Sequence, residues 1–201
     1  MSVVSANNNA LSAISALPSA VSGGALNLIS TTTASDDSNI SITSGIDSTY
    51  KEYIIKLINV HPVNDSDELQ INFSADGGSN YNVTKTSSAF IAQHAEDNSY
   101  ASLAYDAGGH SAQLTGDQTI HENVGNANDE SCCSTIHLFD PSNTTFVKHF
   151  LITTTAANGA SDSTVTRIGG YCNTTSAVNA VKFDFIGANI QSGVIKLYGV
   201  S

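Results

Sequence analysis

The stretch EYIIKLINV, residues 52–60, decides the fold class of this chain. Apolar residues occupy both faces of the run except at Lys56, a pattern typical of a strand in the middle of a sheet. Pro62 follows and predicts the end of the strand. A second run, LQINFS at residues 69–74, alternates apolar and polar residues, as a half-buried strand does. Together the two runs predict an all-β protein with stacked sheets.

Short β patterns extend outward from this pair in both directions. Eight to ten strands separated by turn residues are typical of an antiparallel β-sandwich or a jelly-roll-like fold. No run after residue 22 predicts a helix of ordinary length. We predict the further strands at residues 25–33, 39–43, 134–139, 144–154, 167–171, 178–186 and 193–200. Two weaker patterns lie at residues 102–105 and 118–121.

Two glycine-containing turns organise these predicted strands. Asp76-Gly77-Gly78 predicts a β-hairpin, because glycine adopts positive φ without steric cost, and residues 81–86 would be the returning strand. Gly187-Ala188-Asn189 predicts a tight turn between the last two strands.

The N-terminal segment predicts an arm, residues 1–35, ahead of a sandwich domain, residues 36–201. Asn8 or Asn9 would cap at most one short helix, and Pro18 would limit it. So short a helix is not stable alone in water, so we expect it to dock on its own domain, a neighbouring copy or a partner. A frayed terminus is the alternative. The apolar residues predicted to dock are Leu11, Ile14, Leu17 and Val21.

The charge content narrows the function classes. Only 12% of the 201 residues are charged, and seven Lys and Arg against 18 Asp and Glu give a net charge of −11. Nucleic-acid binding requires clustered cations, and Lys51 and Lys56 are the only close pair. We therefore expect no nucleic-acid partner. The same deficit argues against anionic membrane surfaces.

Targeting signals are not evident in the sequence. No segment has the roughly 18 apolar residues of a membrane span, so we expect no membrane insertion. The first 35 residues carry no charge, and the positively charged start of a secretory signal peptide is missing.

Three cysteines, Cys132, Cys133 and Cys172, favour reduced, buried thiols. A bridge from Cys172 to Cys132 or Cys133 remains open, and an odd number leaves one thiol unpaired in any case. A zinc site using His137 as a fourth ligand is disfavoured, because the C-x2-C spacing of structural zinc sites is absent.

Acidic residues supply the candidates for catalysis or metal binding. Asp65, Asp67 and Glu68 lie together before a strand, where a solvated turn is favoured over a catalytic pair or a calcium site. His94, His110 and His121 offer a weaker metal alternative, because their spacing is not diagnostic. No G-x-S-x-G motif is present. We expect a non-enzymatic protein with no cofactor.

Residues 93–132 are polar and rich in Gly, Asn and Asp, which predicts long exposed loops of the kind that carry recognition functions. Aromatic rings with a polar tip suit contacts with sugars. Tyr50, Tyr53 and Tyr81 are further aromatic candidates. The ligand-binding candidates within the loops are Tyr100, Tyr105, His94 and His110.

Three segments carry a resemblance to a known group of proteins. They are SGIDSTYKEY at residues 44–53, FSADGGSNYNVTK at residues 73–85 and GVIKLYGV at residues 193–200. As a set they resemble small β-sandwich virion structural proteins, tail-fibre-like or decoration proteins, of tailed bacteriophages of marine bacteria. The resemblance covers roughly residues 25–201.

The resemblance implies a structural protein on the surface of a virion, in a tail appendage or as capsid decoration. It carries no set of catalytic residues. We expect the protein to assemble with other virion proteins through its arm and its sheet edges. We also expect a homo-oligomer, and by analogy with such modules a trimer. The alternative is a carbohydrate-binding host-attachment module that uses residues 93–132. A polysaccharide depolymerase is the third hypothesis.

Overall fold

The computed structural model describes residues 25–201, which form β-strands and no helix. No described segment is therefore a helix able to cross a membrane. The thirteen strands are β1 (Leu26–Asp37), β2 (Ile40–Ile42), β3 (Glu52–Pro62), β4 (Asp67–Ser74), β5 (Lys85–Ala95), β6 (Ala101–Tyr105), β7 (Ser111–Leu114), β8 (Gln118–Val124), β9 (Ser131–Phe139), β10 (Lys148–Ala157), β11 (Asp162–Cys172), β12 (Ala180–Phe185) and β13 (Ile190–Val200).

The strands form two antiparallel sheets. The large, nine-stranded sheet has the order β1-β13-β3-β9-β10-β11-β5-β6, with β7 also paired to β5. The small, four-stranded sheet has the order β2-β12-β4-β8. The predicted all-β, antiparallel β-sandwich is confirmed, whereas jelly-roll connectivity stays a prediction.

Alternating side chains build the core between the sheets. In β10, Phe150, Ile152 and Thr154 are buried, while the residues between them point away from the core. Phe150 stacks on Phe73 of β4, with ring centroids 5.3 Å apart. Because β4 belongs to the small sheet, this aromatic pair joins the two layers.

The run at residues 52–60 forms most of β3, which lies between β13 and β9 in the large sheet. Its predicted central position is confirmed. Tyr53, Ile55 and Leu57 are buried in the core, and Lys56 points to the other side.

The predicted hairpin at Asp76-Gly77-Gly78 is wrong. Both glycines adopt positive φ, 74° and 89°, so the turn itself forms. However, β4 already pairs with β8 and β12, which leaves it no free edge for a returning strand. The chain instead crosses to the large sheet, and residues 81–84 form no strand. The segment at residues 187–189 likewise joins β12 of the small sheet to β13 of the large one.

The predicted boundary at residue 36 falls inside β1, which pairs with β13 along its length from Leu26 to Asp37. Residues 26–35 thus belong to the large sheet. The region 93–132, predicted as loops with two weak strands, contains β6, β7 and β8. The arm residues lie outside the described residues: Leu11, Ile14, Leu17 and Val21.

Candidate interaction surface

The large sheet has one face that the small sheet does not cover, called the outer face below. It consists of the outward-facing side chains of β1, β13, β3, β9, β10, β11, β5 and β6. Several large apolar side chains lie there in solvent, including Leu151, 52% exposed, and Leu103, 73% exposed. Clustered exposed apolar groups on a soluble domain mark an interaction surface more often than scattered ones do.

One row of paired residues, with one residue from each strand, crosses the outer face from β1 to β6. Each of its residues is the direct pairing partner of the next, over eight adjacent strands. At the usual strand spacing the line is about 34 Å long. This transverse row contains Thr31, Lys196, Lys56, Thr135, Thr153, Arg167, Phe90 and Tyr105.

The transverse row concentrates positive charge on an acidic protein. Lys56 and Lys196 are direct pairing partners, and like charges in that position repel. Within residues 25–201, neither these lysines nor Arg167 forms an ion pair. The strands from β13 to β6 contain only two carboxylates, Glu52, which lies 2.6 Å from the ring nitrogen of His137, and buried Asp162.

Two shallow grooves follow the transverse row. One, of about 320 Å³, is lined by Phe90, Leu151, Thr153 and Arg167, with Ser88 and Gly169 nearby. The second, of about 310 Å³, is also lined by Thr153 and continues towards Lys56. The shared threonine makes them neighbours. Their lining combines a ring, hydroxyls and cations, the groups that hydrogen-bond and stack against a polar ligand.

The large sheet ends in two edges, β1 and β6. β6 has the sequence ASLAY, and all five residues are exposed. β1 carries no charge before Asp36. An edge strand presents unpaired N–H and C=O groups, and natural edges are normally protected by charged residues or proline. Apart from the acidic end of β1, neither edge has that protection.

The four loop residues predicted to bind a ligand do not form one site. Tyr105 and His110 lie together, with ring centroids 5.5 Å apart. Tyr100 precedes the other end of β6 and donates a hydrogen bond to Asp162, which raises the pKa of the Tyr100 hydroxyl. His94 is exposed on β5 opposite Ala101. Of these candidates, only Tyr105 belongs to the transverse row.

The other tyrosine candidates do not extend this surface. Tyr53 is fully buried, so it contacts no ligand at the surface. Its hydroxyl donates to Asp47 at 2.9 Å, and burial raises the pKa of Tyr53. The ring of Tyr50 packs edge-on against it.

The acidic candidates serve as turn and backbone partners. Asp67 accepts hydrogen bonds from the backbone N–H groups of Glu68 and Gly187, and Glu68 accepts one from Thr119. Asp65 lies in the turn before β4. Within residues 25–201, no three His, Cys, Asp or Glu side chains are grouped to hold a metal ion.

The three cysteines are free. Cys132 and Cys172 are buried, which raises the pKa of both thiols, that of Cys172 to about 12. Cys133 is half-buried and lines one of the grooves of the outer face.

His121, one of the histidines considered for a metal site, is a core residue. Its two ring nitrogens lie 2.8 Å from the hydroxyls of Thr166 and Thr164. Burial lowers the pKa of His121 to about 4, so the ring is neutral in the folded protein at pH 7.

Sequence reasoning missed the transverse row because its residues are scattered from position 31 to position 196. Each strand's alternation indicates which residues point outward, but the pairing register decides which of them become neighbours. Lys56 thus lies opposite Lys196, far away in sequence, and not beside Lys51.

Comparisons with known proteins leave the family of this chain open. No protein-family model matches it, and no curated protein matches it. Among solved structures it is similar to an exo-inulinase from Aspergillus awamori, with 13% identity over 88% of this chain, 29% of that chain and a TM-score of 0.24. An alginate lyase from Aplysia kurodai shows 11% identity over 78% of this chain and 71% of that chain, with a TM-score of 0.24. Likeness this weak carries no argument about function.

Proposed function

We propose that this protein is a non-enzymatic structural subunit that assembles through the edges of its large sheet, on the exterior of a bacteriophage particle. The observation that supports assembly most directly is the open edge at β6. Virion location rests on the sequence resemblance at residues 44–53, 73–85 and 193–200.

The β6 edge suits strand addition by another chain. Ala101 to Tyr105 carry no charge and no proline, and one side of their backbone has no strand partner among residues 25–201. The exposed side chains of Leu103 and Tyr105 would be covered by an added strand. Backbone hydrogen bonds would supply affinity, and the alternating side chains would supply specificity.

The N-terminal arm would provide a second contact. It enters the structure at β1, the opposite edge of the large sheet. Docking of Leu11, Ile14, Leu17 and Val21 on a neighbour would lengthen that contact. Such contacts between copies would give a homo-oligomer, and by analogy with similar modules we propose a trimer.

Sedimentation velocity on the full chain tests assembly through β6. We expect a concentration-dependent oligomer for the unchanged protein and a loss of self-association for Leu103→Lys, because a charge on an edge strand opposes pairing. Leu151→Lys is the matched control, since Leu151 is an exposed leucine on a central strand. A monomer at every concentration, or equal loss in the control, would contradict edge assembly.

Particle incorporation tests the virion part of the proposal. A chain lacking residues 1–22 should no longer enter particles if the arm docks there. Normal incorporation without those residues would remove the arm from the proposal, and absence of the full chain from purified particles would remove the virion location.

A second candidate function, binding of an acidic carbohydrate, is favoured by the transverse row. Lys56, Lys196 and Arg167 are cations without ion-pair partners in residues 25–201, and Thr135 and Thr153 place hydroxyls between them. A host-attachment module would use this surface and not the loop residues alone. Three cations spread over about 19 Å of the row match a sparsely charged polymer better than a nucleic acid.

Calorimetric titration with polygalacturonate tests this candidate, with dextran as the neutral polymer. We expect Arg167→Gln combined with Lys56→Gln to weaken binding about tenfold, which corresponds to about 1.4 kcal/mol. Lys51→Gln is the matched control, because Lys51 is an exposed lysine paired with Asp140 away from the row. Equal weakening in the control would contradict a specific site. Shortening of the polymer during the titration would contradict the non-enzymatic proposal.

A further inference from the structure

A lysine lies fully buried where the two sheets meet. Lys85 begins β5 of the large sheet and has no exposed surface. Its Nζ lies 2.8 Å from the side-chain Oδ1 of Asn72, 2.6 Å from the backbone oxygen of Gly116 and 3.4 Å from that of Val83. Among residues 25–201, no carboxylate lies within ion-pair distance of this Nζ.

The amide facing Lys85 is held from several sides. Asn72, in β4 of the small sheet, is 1% exposed. Its Oδ1 accepts a hydrogen bond from the backbone N–H of Phe73 at 2.8 Å as well as from Lys85. Its Nδ2 donates to Asp117 Oδ1 at 3.0 Å and to the backbone oxygen of Tyr81 at 2.8 Å. A buried amine and a buried amide therefore meet beside the half-buried carboxylate of Asp117.

We propose that Lys85 and Asn72 become joined by an intramolecular isopeptide bond, formed with the help of Asp117 and with release of ammonia. The bond would connect β5 to β4 and so link the large sheet covalently to the small one. It would also close the crossing segment at residues 73–84.

The reaction balances without a co-reactant. The neutral amine of Lys85 attacks Cγ of Asn72, and negative charge on Oδ1 is stabilised by the N–H of Phe73. Bonding to Cγ brings the attacking nitrogen next to Nδ2 of Asn72, which lies 3.0 Å from Asp117 Oδ1. Asp117 then accepts a proton from the attacking nitrogen and passes it to Nδ2. The Cγ–Nδ2 bond breaks, and the nitrogen leaves as ammonia. One C–N bond forms and one breaks, and no electron is transferred.

The surroundings of Lys85 favour the neutral amine that the reaction needs. Burial lowers its pKa to about 8, although the nearby Cys172 and Asp117 act in the opposite direction and Lys182 lowers the pKa further. About a tenth of the amine is therefore unprotonated at pH 7, far more than for an ordinary lysine. Amines buried in this way are the ones that react as nucleophiles in proteins.

A second buried lysine, Lys148, allows a comparison with Lys85 within the same protein. Lys148 lies on the same face of the sheet, and both lysines pair in register with Cys172. The Nζ of Lys148 donates only to the backbone oxygens of Phe146 and Thr174. It therefore has no side-chain amide to attack. Both lysines have a carboxylate nearby, Asp140 for Lys148 and Asp117 for Lys85. The side-chain amide is what distinguishes Lys85.

Intact mass spectrometry of the full, denatured and reduced chain tests the proposal. The bond predicts a mass about 17 Da below the sequence mass, the loss of one ammonia. Trypsin cannot cleave after an amidated lysine, so peptides 57–85 and 86–148 should appear as one product, 57–148. The full sequence mass, with free peptides 57–85 and 86–148, would overturn the proposal.

Three variants make the assignment specific. Lys85→Met and Asp117→Ala should both have the full mass. Lys182→Gln should keep the loss, and it controls for the ion pair between Lys182 and Asp117, whose atoms are 3.1 Å apart. Ring closure at Asn158-Gly159 would also release ammonia, but independently of Lys85. Persistence of the loss in Lys85→Met or in Asp117→Ala would overturn the bond or the role of Asp117, respectively.

Discussion

The two faces of the large sheet are made by alternate residues of the same strands, yet they differ in chemistry. In β10, Phe150 and Ile152 point into the core, and Leu151 and Thr153 point to solvent. The inner face is mostly apolar, apart from groups such as Lys85, Lys148 and Thr154, and packs against the small sheet. The outer face combines threonines, three cations and exposed rings. The difference predicts that stability depends mainly on the inner face and leaves the outer face available for the contacts proposed above.

The largest expected effect on stability comes from removing the core ring of Phe150. Removal of the side chain of its exposed neighbour, Leu151, is the comparison. Phe150→Ala should lower the free energy of unfolding by about 3–5 kcal/mol, because it leaves a cavity beside Phe73. Leu151→Ala should change it by no more than about 0.5 kcal/mol, because the side chain is half in solvent. Denaturant unfolding measures both. Similar losses at the two positions would show that the outer face also contributes to stability.

The next largest effect on stability is expected at low pH and comes from His121. Burial lowers the pKa of His121 to about 4 from its ordinary value of 6.5, so the unfolded chain binds a proton between those values that the folded chain does not. Stability should therefore fall as pH decreases from 6.5 to 4, by about 3 kcal/mol from this residue.

The measurement is denaturant unfolding between pH 7 and 4, compared with His121→Gln, which cannot gain the charge. His149→Gln is the control, since His149 is exposed on β10. An unchanged pH dependence in His121→Gln would show that the buried ring is not the acid-sensitive group.

The smallest effect is expected on the outer face. Lys196→Gln should increase the free energy of unfolding by about 0.2–1 kcal/mol at low salt, because it removes the charge opposite Lys56. The gain should shrink as salt screens the repulsion. Thermal unfolding at two salt concentrations checks this, and a destabilised variant would indicate that the two lysines do not repel.

The positions of the strands along the sequence could be predicted better than the partners with which they pair. A continuous apolar run correctly placed β3, and shorter β patterns placed β9 and β12. Even the weak patterns at residues 102–105 and 118–121 correspond to β6 and β8. These patterns are local, since they arise from which side chains of one strand meet the core.

Pairing partners could not be predicted in the same way. Asp76-Gly77-Gly78 adopts the expected turn, but whether the next strand returns or crosses depends on strands far away in sequence that already occupy both sides of β4. The meeting of Asn72 with Lys85 follows from that crossing. The opposition of Lys56 and Lys196 likewise requires the register of two distant strands.

Cys133 is a natural site for attaching a fluorescent label to the outer face. Its thiol is half-buried beside Lys56 and Thr135, whereas Cys132 and Cys172 lie in the core. A maleimide fluorophore should therefore label the native protein at a single position. Its emission would then register the arrival of a polymer or a neighbouring subunit without any engineered residue.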